Sequence, residues 1–177
     1  MAASSFFGLL GYFMIEKFSA SPVIVSLAFS TQAGISVIVQ FFLLEKFYQW
    51  FSEEALAKNG LLFITLGFCL IAFSPHESIA IIGCLFTGFG QACVNPTVLS
   101  RRSKRETYGQ GMTVGIHQAM NSLGRIVGPL IGGAVFSIII LGPFITSAVV
   151  ALVLYFILLL SSRKDTDFLV ENENAQE

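Results

Sequence analysis

Residues 115–133 read GIHQAMNSLGRIVGPLIGG, placing His117, Gln118, Asn121 and Arg125 in a run otherwise built of Gly, Pro and mostly aliphatic residues. In water this is a poor helix: each interior Gly costs about 1 kcal/mol and Pro about 3 relative to Ala. In a membrane it is workable, because small residues let helix backbones approach and polar side chains hydrogen-bond between helices. The rest of the chain decides which setting applies.

Of the 177 residues 54% are hydrophobic and 12% charged, with 18 Phe, and the mean hydropathy is +0.76. A soluble domain carries roughly 25% charged residues, so too little polar surface remains to coat a water-soluble globule. The net charge is −1 and the basic residues sit in loops, which gives no footprint for nucleic acid. Cys69, Cys84 and Cys93 lie in apolar runs without CxxC spacing and read as packing residues, not as a disulfide framework or metal site. No cofactor is expected. The opening MAASSFFGLLGYFMIEKF has a short apolar stretch but no basic flank, and reads as retained sequence and not a cleaved signal.

A helix crosses a bilayer with about 20 apolar residues. The expected spans are 3–15, 22–44, 60–74, 78–100, 112–140 and 143–160, followed by a polar, disordered tail at 163–177. The expected fold is therefore all-α: a six-transmembrane-helix bundle whose first helix is incomplete. The segment EKFYQWFSEEALAKN (45–59) is too charged to cross and is expected to lie at the interface, anchored by Trp50. With six spans, Lys46, Lys58, Arg101, Arg102, Lys104, Arg105, Arg163 and Lys164 fall on one side and Lys17 on the other. The positive-inside rule then predicts an integral, multi-pass protein with both termini in the cytoplasm.

Polar residues are unevenly shared among the spans. Gln32, Ser36 and Gln40 recur every four residues in the second span; Thr87, Gln91 and Asn95 do so in the fourth; His117, Asn121 and Arg125 do so in the fifth. Such spacing marks a single helix face. In the fifth span Thr113, Gln118, Gly124, Gly128 and Gly132 join that arc, while the third and sixth spans have no stripe. Spans two, four and five are expected to face a shared cavity or other helices, with three and six peripheral. Arg125 sits near mid-span, where a charge costs at least about 2.5 kcal/mol, and no span interior offers it an acid. His117 is the one span-interior group that titrates near neutrality, a candidate proton carrier.

Gly115, Gly124, Gly128, Pro129, Gly132 and Gly133 spell G-x8-G-x3-GP-x2-GG. The pattern resembles the antiporter motif of the major facilitator superfamily, whose fold has 12 helices built from six-helix halves. The loop LLEKFYQWFSEEALAKNG lacks the basic motif of the N-terminal half and the fourth span lacks its arginine, so the resemblance is to the C-terminal half. It implies secondary active transport of a small solute by alternating access, proton-coupled, with the substrate path along His117, Asn121 and Arg125. It also implies membrane lipid and an N-terminal six-helix half as partners, with the glycine face packed on that half. Two other readings stay open. One is a non-transporting regulatory or split half-transporter; the other is a six-span channel, with Asn95-Pro96-Thr97 only superficially like a water-channel box. Motifs of an intramembrane enzyme (GxSG, paired Asp, HExxH) are lacking.

Overall fold

A computed structural model describes residues 2–105 and 110–174, with side-chain surroundings for 9–97, 111–112 and 114–160. Arg101, Arg102, Lys104, Arg105, Arg163 and Lys164 of the basic side, Thr113 of the polar arc, and tail residues 175–177 lie outside those surroundings. The helices are α1 (Ala2–Phe18), α2 (Pro22–Ile38), a π-helical turn (Val39–Leu43), α3 (Leu44–Trp50), α4 (Glu53–Ala72), α5 (Glu77–Arg105), α6 (Gln110–Phe136) and α7 (Gly142–Asn174). Among the described residues four stretches are long and apolar enough to cross a bilayer: Pro22–Trp50, Glu53–Ala72, Glu77–Thr97 and Gly142–Leu160.

Local chemistry sets several helix ends. Ser19 adopts a left-handed φ of 51°, and Pro22 opens α2, where its missing N–H costs nothing. Ser52 caps α4 by accepting from the Ala55 N–H at 3.2 Å, with Glu53 and Glu54 in the positive first turn. At the other end of α4 the Lys17 ammonium donates to the Ala72 carbonyl at 3.0 Å, beside the Phe13 ring. It satisfies a terminal acceptor and opposes the negative end of the helix dipole.

The sequence expectation for residues 45–59 needs correcting. α2 runs through the π turn into α3, so Pro22–Trp50 is one 29-residue helical stretch of about 44 Å. That exceeds the roughly 30 Å hydrocarbon core, and residues 45–59 divide between the end of this stretch and the first turns of α4 instead of forming one separate helix. The Tyr48 hydroxyl meets Thr97 Oγ1 at 3.0 Å and Phe47 packs edge-on against Phe89, both on α5; these contacts outweigh the surface amphipathicity that suggested an in-plane helix. The last helix also extends beyond the expected span, to Asn174.

The main core joins Leu10, Phe13 and Met14 of α1 to Phe68 and Ile71 of α4, Ala80 and Cys84 of α5, and Phe144 of α7. The Phe13 and Phe144 rings meet at a tilt of 53° with centroids 4.5 Å apart. A smaller cluster, Val39, Leu56, Ala92 and Cys93, closes the Tyr48 end.

Within this unit α4 packs on α5 and α7, and half of its apolar window is buried, against 17% for the α2–α3 stretch. Glycines, not polar groups, take it inside. A Cβ at Gly67 would lie 2.6 Å from Thr87 Cγ2 and 2.8 Å from the Gly83 carbonyl; one at Gly90 would strike the Gly60 carbonyl. The two backbones touch at both levels, which only small residues permit.

Candidate functional site

The candidate polar residues separate into two groups. The first is a seam between α2 and α5. Gln32 is 2% exposed, and among the described residues neither atom of its amide finds a partner. One turn on, Ser36 Oγ donates to the Gln32 and Gly88 carbonyls at 2.9 and 3.0 Å, which binds the two helices together. Gln91 is half-buried and its Nε2 is also unpartnered. Gln40 does not share their surroundings: it is exposed in the π turn, whose extra residue breaks the four-residue spacing.

Thr87 is buried against Gly67 of α4 and its hydroxyl donates to the Cys84 carbonyl at 3.0 Å, so it packs a helix interface. Asn95 is exposed near the end of the α5 span.

The second group lies on α6, which packs chiefly on α1 and more lightly on α7 and α5. His117 is half-buried, and its Nε2 lies 3.2 Å from Asn121 Nδ2, one turn on. Gln118, Asn121 and Arg125 are exposed, and among the described residues no ion pair reaches Arg125. Gly124, Gly128 and Gly132 are buried inside this six-helix unit, whereas Gly115 and Gly133 would have a Cβ in open space. The sequence reading put the glycines against an absent half, and His117, Asn121 and Arg125 of the same arc on the substrate path. Here the three glycines already have cover within the chain, and the neighbouring positions remain open.

Among the described residues no hydrogen bond joins the two groups, and none of their residues lines the cavity of about 270 Å³ between α2, α4 and α5. The arrangement offers a polar face on α6 with one guanidinium and one imidazole. It also offers a hydrogen-bond-hungry amide in the α2–α5 seam. Each unpaired buried polar group costs about 1–3 kcal/mol. Gln32→Leu is therefore expected to raise the midpoint of thermal unfolding; a lowered midpoint would show that the amide has a partner in the native protein.

The pairing of α4 with α5 escaped the sequence reading. Its signal was present: Gly60 and Gly67, like Gly83 and Gly90, are seven residues apart, two helical turns.

Residues 1–176 match the sequence pattern of the Major Facilitator Superfamily. The chain is similar to Multidrug resistance protein 1 of Bacillus subtilis (strain 168), 29% identical over 142 residues, covering 80% of this chain and 36% of that protein. It is similar to Quinolone resistance protein NorA of Staphylococcus aureus strain COL, 28% identical over 142 residues (79% of this chain, 36% of that protein). The NorA of strain MSSA476 is 28% identical over 145 residues, covering 81% and 37%. The chain thus spans little more than a third of the length of these relatives. Its six long helices, among them four apolar enough to cross a bilayer, make it an integral multi-pass membrane protein. Helical bundle, family pattern and relatives agree: the chain belongs to the Major Facilitator Superfamily, a family of transporters and not of enzymes.

Proposed function

We propose that the chain is the C-terminal half of a secondary active transporter that moves small organic solutes by alternating access against a second six-helix unit. The observation that carries this reading is the open polar face of α6. Arg125 and Asn121 are exposed with His117 beside them, and on a helix that crosses the bilayer lipid would cover such groups only at high cost. A water-filled path between two helical units satisfies all three, and midplane sites between repeats are the general plan of such carriers.

The drug-resistance names of the relatives support organic drugs, quinolones among them, as the solute class. His117 is the proton carrier in this reading, as the one imidazole on that face. Lys46, Lys58 and the basic residues at 101–105 mark the cytoplasmic side.

Vesicles carrying the native protein test the proposal. An imposed pH gradient is expected to drive accumulation of a fluorescent quinolone, and a protonophore to abolish it. His117→Gln is expected to flatten the pH dependence while leaving gradient-independent exchange. Accumulation indifferent to both the protonophore and His117→Gln would contradict proton coupling; no accumulation at all would contradict the transporter reading.

A further inference from the structure

One flank of the bundle carries a feature that transport does not explain. The 270 Å³ cavity between α2, α4 and α5 is walled by Ile35, Phe63, Leu85, Phe86 and Phe89, without a polar side chain. A second cavity, about 160 Å³, shares Phe63 and Phe89 and continues past Phe47 to Phe51 and Asn59. The rings form a ladder: Phe86 to Phe63 at 5.8 Å, Phe63 to Phe89 at 4.8 Å, Phe89 to Phe47 at 6.2 Å and Phe47 to Phe51 at 6.4 Å. The two cavities make one apolar groove.

The direction of the groove follows from helix geometry. At about 100° per residue, Leu85, Phe86 and Phe89 share one side of α5. Ala80 and Cys84, which enter the core, and Gln91 fall on the opposite side. The groove therefore opens away from the core of this unit.

Its far end is amphipathic. Asn59 lines the mouth; Lys58 beside it pairs with Glu54 at 3.1 Å, and Glu53 and Glu54 stand in the first turn of α4. Trp50 at the end of α3 is 78% exposed, and such a ring suits the membrane interface. Both signs of charge at the mouth suit a headgroup that itself carries both.

We propose that this groove binds one acyl chain of a zwitterionic phospholipid from the leaflet on the α3 side, with its headgroup at Asn59 and the charged residues around it. The chain would bury its methylenes against the aromatic ladder, each contributing to retention. The inference is independent of the transport reading.

A phosphatidylcholine with a diazirine at one acyl terminus, incorporated into nanodiscs with the native protein, tests it. Photolabelling is expected to concentrate on residues 63 and 85–89, to saturate, and to be displaced by excess unlabelled phosphatidylcholine more effectively than by phosphatidylglycerol. Ile35→Trp and Leu85→Trp, which fill the groove, are each expected to cut that labelling about tenfold, the equivalent of excluding roughly two methylenes. Labelling of exposed Leu154, Phe156 and Ile157 on α7 should not saturate or change. Groove labelling that neither saturates nor exceeds that of α7 in the unsubstituted protein overturns the site, whatever the variants do. Equal displacement by both lipids overturns the headgroup assignment.

Discussion

Exchange of Arg125 for leucine in the native protein is expected to lower the rate of gradient-driven transport about 10–100-fold, the loss of one charge-assisted contact, without loss of folded protein. The two readouts pull apart for a physical reason. Arg125 is exposed on α6 and touches no acid among the described residues, so its removal breaks no packing and no ion pair within this unit. Its guanidinium is costly at membrane depth, so leucine leaves the stability equal or higher. What is lost is a fixed cation on the proposed path. Arg125→Lys should fall between the two, because lysine keeps the charge but not the planar, bidentate donor set. Transport at the native rate by a folded Arg125→Leu protein would remove Arg125 from the path.

The largest structural effect is expected at Gly67. A Cβ there would stand 2.6 Å from Thr87 Cγ2 and 2.8 Å from both the Gly83 carbonyl and the Thr87 amide nitrogen. Two of those three atoms are backbone, which has no other rotamer to adopt, so α4 and α5 must separate along their whole contact. Overpacking costs typically about 1–3 kcal/mol; leucine at this position goes further and is expected to eliminate monodisperse folded protein in detergent. Gly67→Ala should leave folded protein with a lowered thermal midpoint. Gly34 and Gly133, where a Cβ meets nothing within 4 Å, provide the controls: leucine at either is expected to be tolerated. If Gly67→Leu unfolds at the native midpoint, the close α4–α5 approach described here is wrong.

The six helices were legible because hydropathy measures the cost of exposing side chains to lipid, and long apolar runs leave no other fold. The G-x8-G-x3-GP-x2-GG pattern was legible for a related reason: glycine and proline restrict the backbone directly, and their spacing survives in sequence. Contacts between elements were less accessible. Periodicity grouped Gln32, Ser36 and Gln40, but a π turn interposed an extra residue, and Gln40 ended exposed while Gln32 was buried. It likewise grouped Thr87 with Gln91, although the glycines of α4 draw Thr87 into a helix contact. Spacing tells which residues share a face, not what that face meets. The in-plane helix expected around Trp50 failed for the same reason, since contacts of Tyr48 and Phe47 to α5 are invisible in the local pattern. Gly124, Gly128 and Gly132, read as a close-packing stripe toward another half, are buried within the chain itself.

The account rests on water, not lipid, facing the polar side of α6, and solvent accessibility tests this directly. In the native protein with Cys69, Cys84 and Cys93 replaced, single cysteines at 117, 121 and 125 would be challenged in intact membranes with a charged, membrane-impermeant maleimide applied from each side. The account predicts labelling at 121 and 125, weaker labelling at half-buried 117, protection by bound substrate, and no labelling at Ile126 or Leu130, which are exposed but apolar. Labelling of 121 and 125 by a lipid-soluble reagent alone, to the same extent as 126 and 130, would contradict it.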